Sequence, residues 1–141
     1  MTKRELLAEL RAEISPEEEV LLRSGEGLSI SAHNRAAALE LLAAAPEDGR
    51  VPEGAPEKLE TILRAYLAEM LPEKPEAWKW ILLGCAYLSF IAERPMHDLK
   101  AAGIVVRREA GKTRYYCPLR EPSEEVSCHF CVCRPLSEEK A

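Results

Sequence analysis

Cysteine is the residue type in this chain whose spacing points most directly to chemistry. Of five cysteines, four fall close to the C-terminus as Cys117, Cys128, Cys131 and Cys133. Cys128 and Cys131 are separated by two residues, a gap that lets two thiolates converge on one metal within a tight turn. Cys117 closes a β-prone segment, so a strand end and a turn can meet around one tetrahedral ion, the layout of many small zinc sites. The fourth ligand is open. Cys133 is near in sequence but is expected to point away from Cys131, and the ring of His129, inside the turn, is expected to point outward. His97 can fold back onto the site with Asp98 as an acceptor behind it. Thiolate and imidazole donors suit Zn2+. An iron–sulfur cluster is the alternative if Cys133 joins the other three. A catalytic dithiol fits less well, because that motif ordinarily opens a helix after a strand. Cys85, far upstream in an apolar run, reads as a small core residue.

The elements that must position these groups are mostly helical. Thr2 and Glu5 have the form of a capping box, and Ser15 suits an N-cap with Pro16 at the first helical position and Glu17, Glu18 and Glu19 favouring that positive helix end. Two short helices are therefore expected, the second stopping near Gly25. A third should start near Ser31, run through Ala36–Leu42 and end before Pro46. Residues 46–56 hold three prolines and two glycines, the composition of a loop. Leu59, Ile62, Leu63, Tyr66, Leu67, Met70 and Leu71 recur at spacings of three and four, an amphipathic fourth helix. A fifth, from Pro75 to Glu93, is apolar on nearly all sides and is expected to be central, with Trp78 and Trp80 at the core or its edge. His33, near a helix start, reads as a surface or capping residue. Beyond Pro95 the pattern changes. Ile104–Arg108, a turn at Ala110–Lys112 and Thr113–Cys117 predict a β-hairpin.

The fold expected is a helical bundle around a central apolar helix, with a C-terminal β-hairpin and a Cys-rich zinc knuckle as a satellite. The corresponding units are a helical domain at 1–94, a metal-binding hairpin and knuckle at 95–134, and a disordered tail at 135–141.

Charge divides the chain unevenly. Residues 1–76 carry 9 basic and 16 acidic side chains, a balance of -7, whereas 94–120 carry 7 basic and 2 acidic, a balance of +5. The overall charge of -5 argues against wholesale nucleic-acid binding. The N-terminus lacks the basic flank and apolar run of a signal peptide, and the most apolar stretch, 77–92, falls short of the roughly 20 residues needed to span a bilayer. The expectation is a cytoplasmic protein without a membrane partner, whose cysteines serve as thiols or metal ligands rather than disulfides.

Pro95-Met96-His97, the hairpin, Tyr115-Tyr116-Cys117-Pro118 and Cys128-His129-Phe130-Cys131-Val132 together resemble an archaeal family found in methanogens, domain of unknown function 2115 (uncharacterised protein family 0305). The resemblance covers about residues 94–133. It implies a Cys3His ligand set of Cys117, Cys128, Cys131 and His97, with Cys133 outside the site. Two departures stand out. Asp98 occupies the position of a proline, and Lys100-Ala101-Ala102-Gly103 replaces a Phe-Pro-Gly-Gly stretch.

A tetrahedral site filled by three thiolates and an imidazole leaves no position for substrate, and no carboxylate or serine lies in a recognisable catalytic motif. The reading that follows is a zinc-stabilised, non-enzymatic module that binds another protein. One alternative is nucleic-acid binding through Arg107, Arg108, Lys112, Arg114 and Arg120, with Tyr115 and Tyr116 interleaved. The other is an iron–sulfur or redox protein.

Overall fold

The computed structural model describes residues 1–121 and 123–139. The expected capping box forms at Thr2, and the expected N-cap at Ser15 proves to be a second one. Thr2 Oγ1 accepts from Glu5 N–H and begins α1 (Lys3–Ala12), and Ser15 does the same with Glu18 for α2 (Pro16–Ser24). Gly25 ends α2 in a left-handed conformation, φ 78°, which a residue lacking Cβ adopts without strain. Ser31 caps α3 (Ala32–Ala43), and the proline-rich loop leads to α4 (Ala55–Met70). On α4 the stripe is narrower than the spacing predicts: Leu59, Leu63 and Leu67 are buried, whereas Tyr66 and Met70 are 55% and 60% exposed.

The fifth helix, α5 (Pro75–Tyr87), is central as expected, packing on α1, α3 and α4. Trp80, Leu83 and Tyr87 are buried, and Trp78, at the edge, donates its Nε1–H to the Leu71 carbonyl at 2.8 Å. Gly84 permits the approach to α3, since a Cβ there would lie 3.1 Å from Asn34 Oδ1. Opposite it, Ala37 and Ala38 are buried. The predicted helix does not stay α-helical to its end. Leu88–Ala92 widen into a π-turn, and Glu93 follows in a left-handed conformation with φ 53°. Such turns are uncommon and mark places where the regular ladder is interrupted.

Three side chains tie helices to one another, or to the segment after the π-turn, through backbone carbonyls. Arg11 Nε donates to Leu41 at 3.0 Å, and Arg35 Nε donates to Leu22 at 2.6 Å. His33 Nε2 lies 2.7 Å from the Met96 carbonyl, fastening the segment after the π-turn onto α3. That half-buried bond is the role of His33, in place of the expected surface position.

The hairpin is present: β1 (Val105–Glu109) and β2 (Lys112–Cys117) pair antiparallel, with Val105 opposite Tyr116 and Glu109 opposite Lys112. Two elements were not expected. A short helix, α6 (Leu99–Ala102), is capped by Asp98 and closed by Gly103. A third strand, β3 (Arg134–Pro135), pairs parallel to β2 and is followed by a 3-10 turn at Leu136–Glu138. The segment from 135, expected as a tail, is thus joined to the sheet as far as Glu139. Lys140 and Ala141 lie outside the described residues. The order β1-β2-β3 makes one small sheet beside a mainly helical body. Among the described residues no helix is long and apolar enough to cross a membrane.

Candidate metal centre

Strand register decides where the C-terminal thiols point. In the parallel pair, Tyr116 lies opposite Arg134 and Cys117 opposite Pro135. Residues two apart in an extended segment share a face. Cys133, two before Pro135, therefore faces the same side as Cys117, and Cys131 is itself extended, φ -74° and ψ 143°. The expectation that Cys133 would turn away from Cys131 is corrected on this ground. Cys117 and Cys133 are both buried, at 5% and 4% exposure.

The sulfurs act on one another. The Cys133 thiol, hydrogen-bonded to the Cys131 sulfur, is the largest influence on it and favours its thiolate. Burial opposes this. Backbone N–H groups and the nearby His97 assist, and the Cys131 thiol is lowered to about 6. Cys133 is correspondingly pushed up, by that bond first, then by burial and by the charges of Cys131, Cys117 and Cys128. Cys128 Sγ faces the Leu119 carbonyl at 3.9 Å.

The segment carrying Cys128 and Cys131 rests on the helical body. Ser127–Phe130 forms a single 3-10 turn whose last residue, Phe130, packs edge-on against Phe90 with ring centroids 5.9 Å apart. His129 is exposed and sits edge-on to Phe130 at 5.0 Å, pointing outward as expected. Cys85 of α5 packs against the core, where burial pushes its thiol up to about 12, with Cys131 and Cys128 near enough to add to that shift. All five cysteines thus lie in one neighbourhood, the boundary between body and sheet. Nothing in the spacing marked Cys85 as a neighbour of the others.

His97 lies at the edge of this neighbourhood. It is exposed, lines a cleft of about 200 Å³ with His33, Arg94 and Tyr115, and acts electrostatically on Cys131. The donor chemistry of the cluster fits a soft divalent ion. Among the described residues, however, no three His, Cys, Asp or Glu side chains stand in an arrangement that could hold a metal ion.

The basic residues of the hairpin divide. Arg107 pairs with Glu139 at 3.5 Å, and Arg114 lies 3.9 Å from Glu109. Arg108 donates to the Thr113 hydroxyl at 2.9 Å, and Arg120 to the Glu121 carbonyl at 3.2 Å, while its Nε is buried without a partner among the described residues. Tyr116 is buried, donating its hydroxyl to Glu109 at 2.8 Å, and Tyr115 is half-buried.

With this geometry in view, comparison with known proteins is informative. Residues 41–136 match the family described as "Uncharacterized protein conserved in archaea" (DUF2115), a span holding all five cysteines and His97. The chain belongs to this family. Among its relatives, a UPF0305 protein of Methanocaldococcus jannaschii is 40% identical over 60 residues, which are 40% of this chain and 36% of the relative. A UPF0305 protein of Methanococcus maripaludis strain S2 is 42% identical over 57 residues, 37% of this chain and 34% of the relative. The matched stretch thus spans about a third of the length of these curated relatives. No solved structure matches the chain.

Proposed function

We propose that this member of the archaeal family is a non-enzymatic interaction module whose sheet is stapled to its helical body by one structural Zn2+. The observation that supports this reading is the shared orientation of Cys117, Cys131 and Cys133, with Cys128 in electrostatic reach. Buried thiols in such a group are soft donors, and a site closed by four thiolates leaves no open position for a substrate. Burial of Cys133 beside Cys117 favours Cys133 as fourth ligand. His97, implied by the family pattern, is the alternative. Among the described residues these side chains do not already stand in a metal-holding arrangement, so an ion would have to draw them together; held on it, they would tie β2, β3 and the Ser127–Phe130 turn together. The hairpin beyond them would be presented as a rigid, basic surface to another protein.

The test is metal analysis of protein purified under anaerobic conditions. The expected result is one zinc per chain in a colourless protein, lost on Cys117→Ser, Cys128→Ser or Cys131→Ser and kept on Cys85→Ala. Structural zinc contributes about 10 kcal/mol or more of binding free energy, so loss of one thiolate should abolish tight retention. X-ray absorption should show four sulfurs. A shell of three sulfurs and one nitrogen would promote His97 over Cys133, a brown protein with iron would replace zinc by a cluster, and a metal-free protein would end the reading.

A further inference from the structure

A cleft of about 570 Å³ opens between α1, α4 and α5. Its floor is apolar, formed by Leu6, Leu10, Leu59, Leu63, Leu82 and Leu83. Its rim carries Glu9, Glu13, Glu57 and Glu60 against two cations, and both cations are engaged. Arg64 pairs with Glu60 at 3.1 Å and Lys79 with Glu18 at 2.7 Å. Glu9, Glu13 and Glu57 have no cation within 4 Å among the described residues. Glu9 on α1 and Glu13 at its C-cap are four apart, a like-charge spacing that costs a helix a few tenths of a kcal/mol.

The complementary surface is on the same chain. Arg108 and Lys112 flank the hairpin tip with no carboxylate within 4 Å among the described residues, and Val106, on the same face as Arg108, is 41% exposed. No hairpin residue lines the cleft, so a chain does not fill its own. An acidic cleft with an apolar floor and a basic hairpin with an apolar side chain are complementary in charge and in kind.

We infer that the cleft is a docking site for the basic hairpin of a second copy of this chain. The inference rests on the reading of the hairpin as a protein-docking surface and names its partner. The two patches differ, so the contact is head-to-tail: each copy offers a free hairpin and a free cleft to the next. Association then depends on salt, because the exposed charges that drive it are screened beyond a few ångströms at high ionic strength.

Sedimentation velocity of the full chain tests this. At about 0.05 M salt the wild type should sediment faster as its concentration rises, and at about 0.5 M salt it should be monomeric. A cleft variant, Glu9→Lys/Glu13→Lys/Glu57→Lys, and a hairpin variant, Arg108→Glu/Lys112→Glu, should each lose at least tenfold in self-affinity. Mixed in equal amounts, they should associate again as mixed complexes, since each contact between one variant and the other is once more of opposite charge, while copies of the same variant still repel. A wild type that stays monomeric at low salt, or variants that fail to recover on mixing, would overturn the inference. Should a variant fold poorly, carbodiimide crosslinking of the wild type decides. Links from Lys112 to Glu9, Glu13 or Glu57 between copies support the contact, and their absence refutes it. A monomeric wild type would leave a zinc result standing, and a metal-free protein would leave the sedimentation result standing, so the two readings fail separately.

Discussion

The helical body and the C-terminal sheet solve the problem of staying folded in different ways. The body buries leucines from five helices in one continuous core, with Leu22, Leu41 and Leu59 almost wholly enclosed. The sheet has two pairs of residues joining β3 to β2, a hairpin exposed along most of β1, and Phe130 resting on Phe90. Burial of apolar area scales with the number of elements that can share it. A unit of this size and polarity cannot supply much of its own stability, so it depends on whatever fastens it to the body. The contrast teaches where to look for chemistry: the thiols gather at the one boundary that apolar packing leaves weak.

The largest effect that could break this contrast is a cavity in the body. Leu59→Ala should cost about 3 kcal/mol in urea unfolding followed by far-ultraviolet circular dichroism. Because the sheet leans on the body, its protection from hydrogen exchange should fall in step. A sheet that kept its protection would be an independent unit. In the opposite direction, Phe130→Ala should loosen residues 112–138 by about 2 kcal/mol in hydrogen exchange while α1, α3 and α5 keep theirs. If the proposed zinc is bound, its chelation should act similarly. The helical dichroism should survive, while trypsin gains access at Arg120 and Arg134. Complete loss of the helix signal would mean that body and sheet unfold as one.

The smallest effect concerns an ion pair within the body. Burial raises the Glu18 carboxyl, but its bonds to Lys79 and to Ser15 more than offset this, and the net shift is downward. A carboxyl whose folded value is depressed stabilises the fold above its unfolded value, and that contribution is lost as pH falls through the folded one. Glu18→Gln should therefore cost about 1 kcal/mol at neutral pH and flatten the loss of stability on acidification below about pH 4.

Much of the body was legible because its signals are local. Thr2 with Glu5 and Ser15 with Pro16 declare helix starts within a few residues, and the spacing of Leu59, Leu63 and Leu67 declares a face. The hairpin was legible for the same reason, from the Ala110-Gly111 turn between β-prone runs. Asp98 and Gly103 carried the ordinary start and stop signals of α6, and a helix of four residues is too short for any periodicity to add to them. The pairing of β3 with β2 joins residues 18 positions apart through backbone bonds that carry no side-chain pattern. For that reason the side on which Cys133 lies could not be read from its spacing to Cys131 alone, nor could the closeness of Cys85 to both. The π-turn likewise has no composition of its own.

That π-turn has a consequence for how the chain tolerates changes in length. Within it the Glu93 N–H reaches back five residues to the Leu88 carbonyl, where an α-helical N–H would reach back four. Leu88–Ala92 thus contains one residue more than a regular helix of the same path requires. A deletion elsewhere in α5 would swing everything after it by about 100° and carry the Met96 carbonyl away from His33. A deletion inside the turn can be absorbed by reversion to α-helix, leaving Arg94 to Met96 nearly where they are. The body therefore holds one spare residue of slack, placed at its junction with the cysteine-rich half.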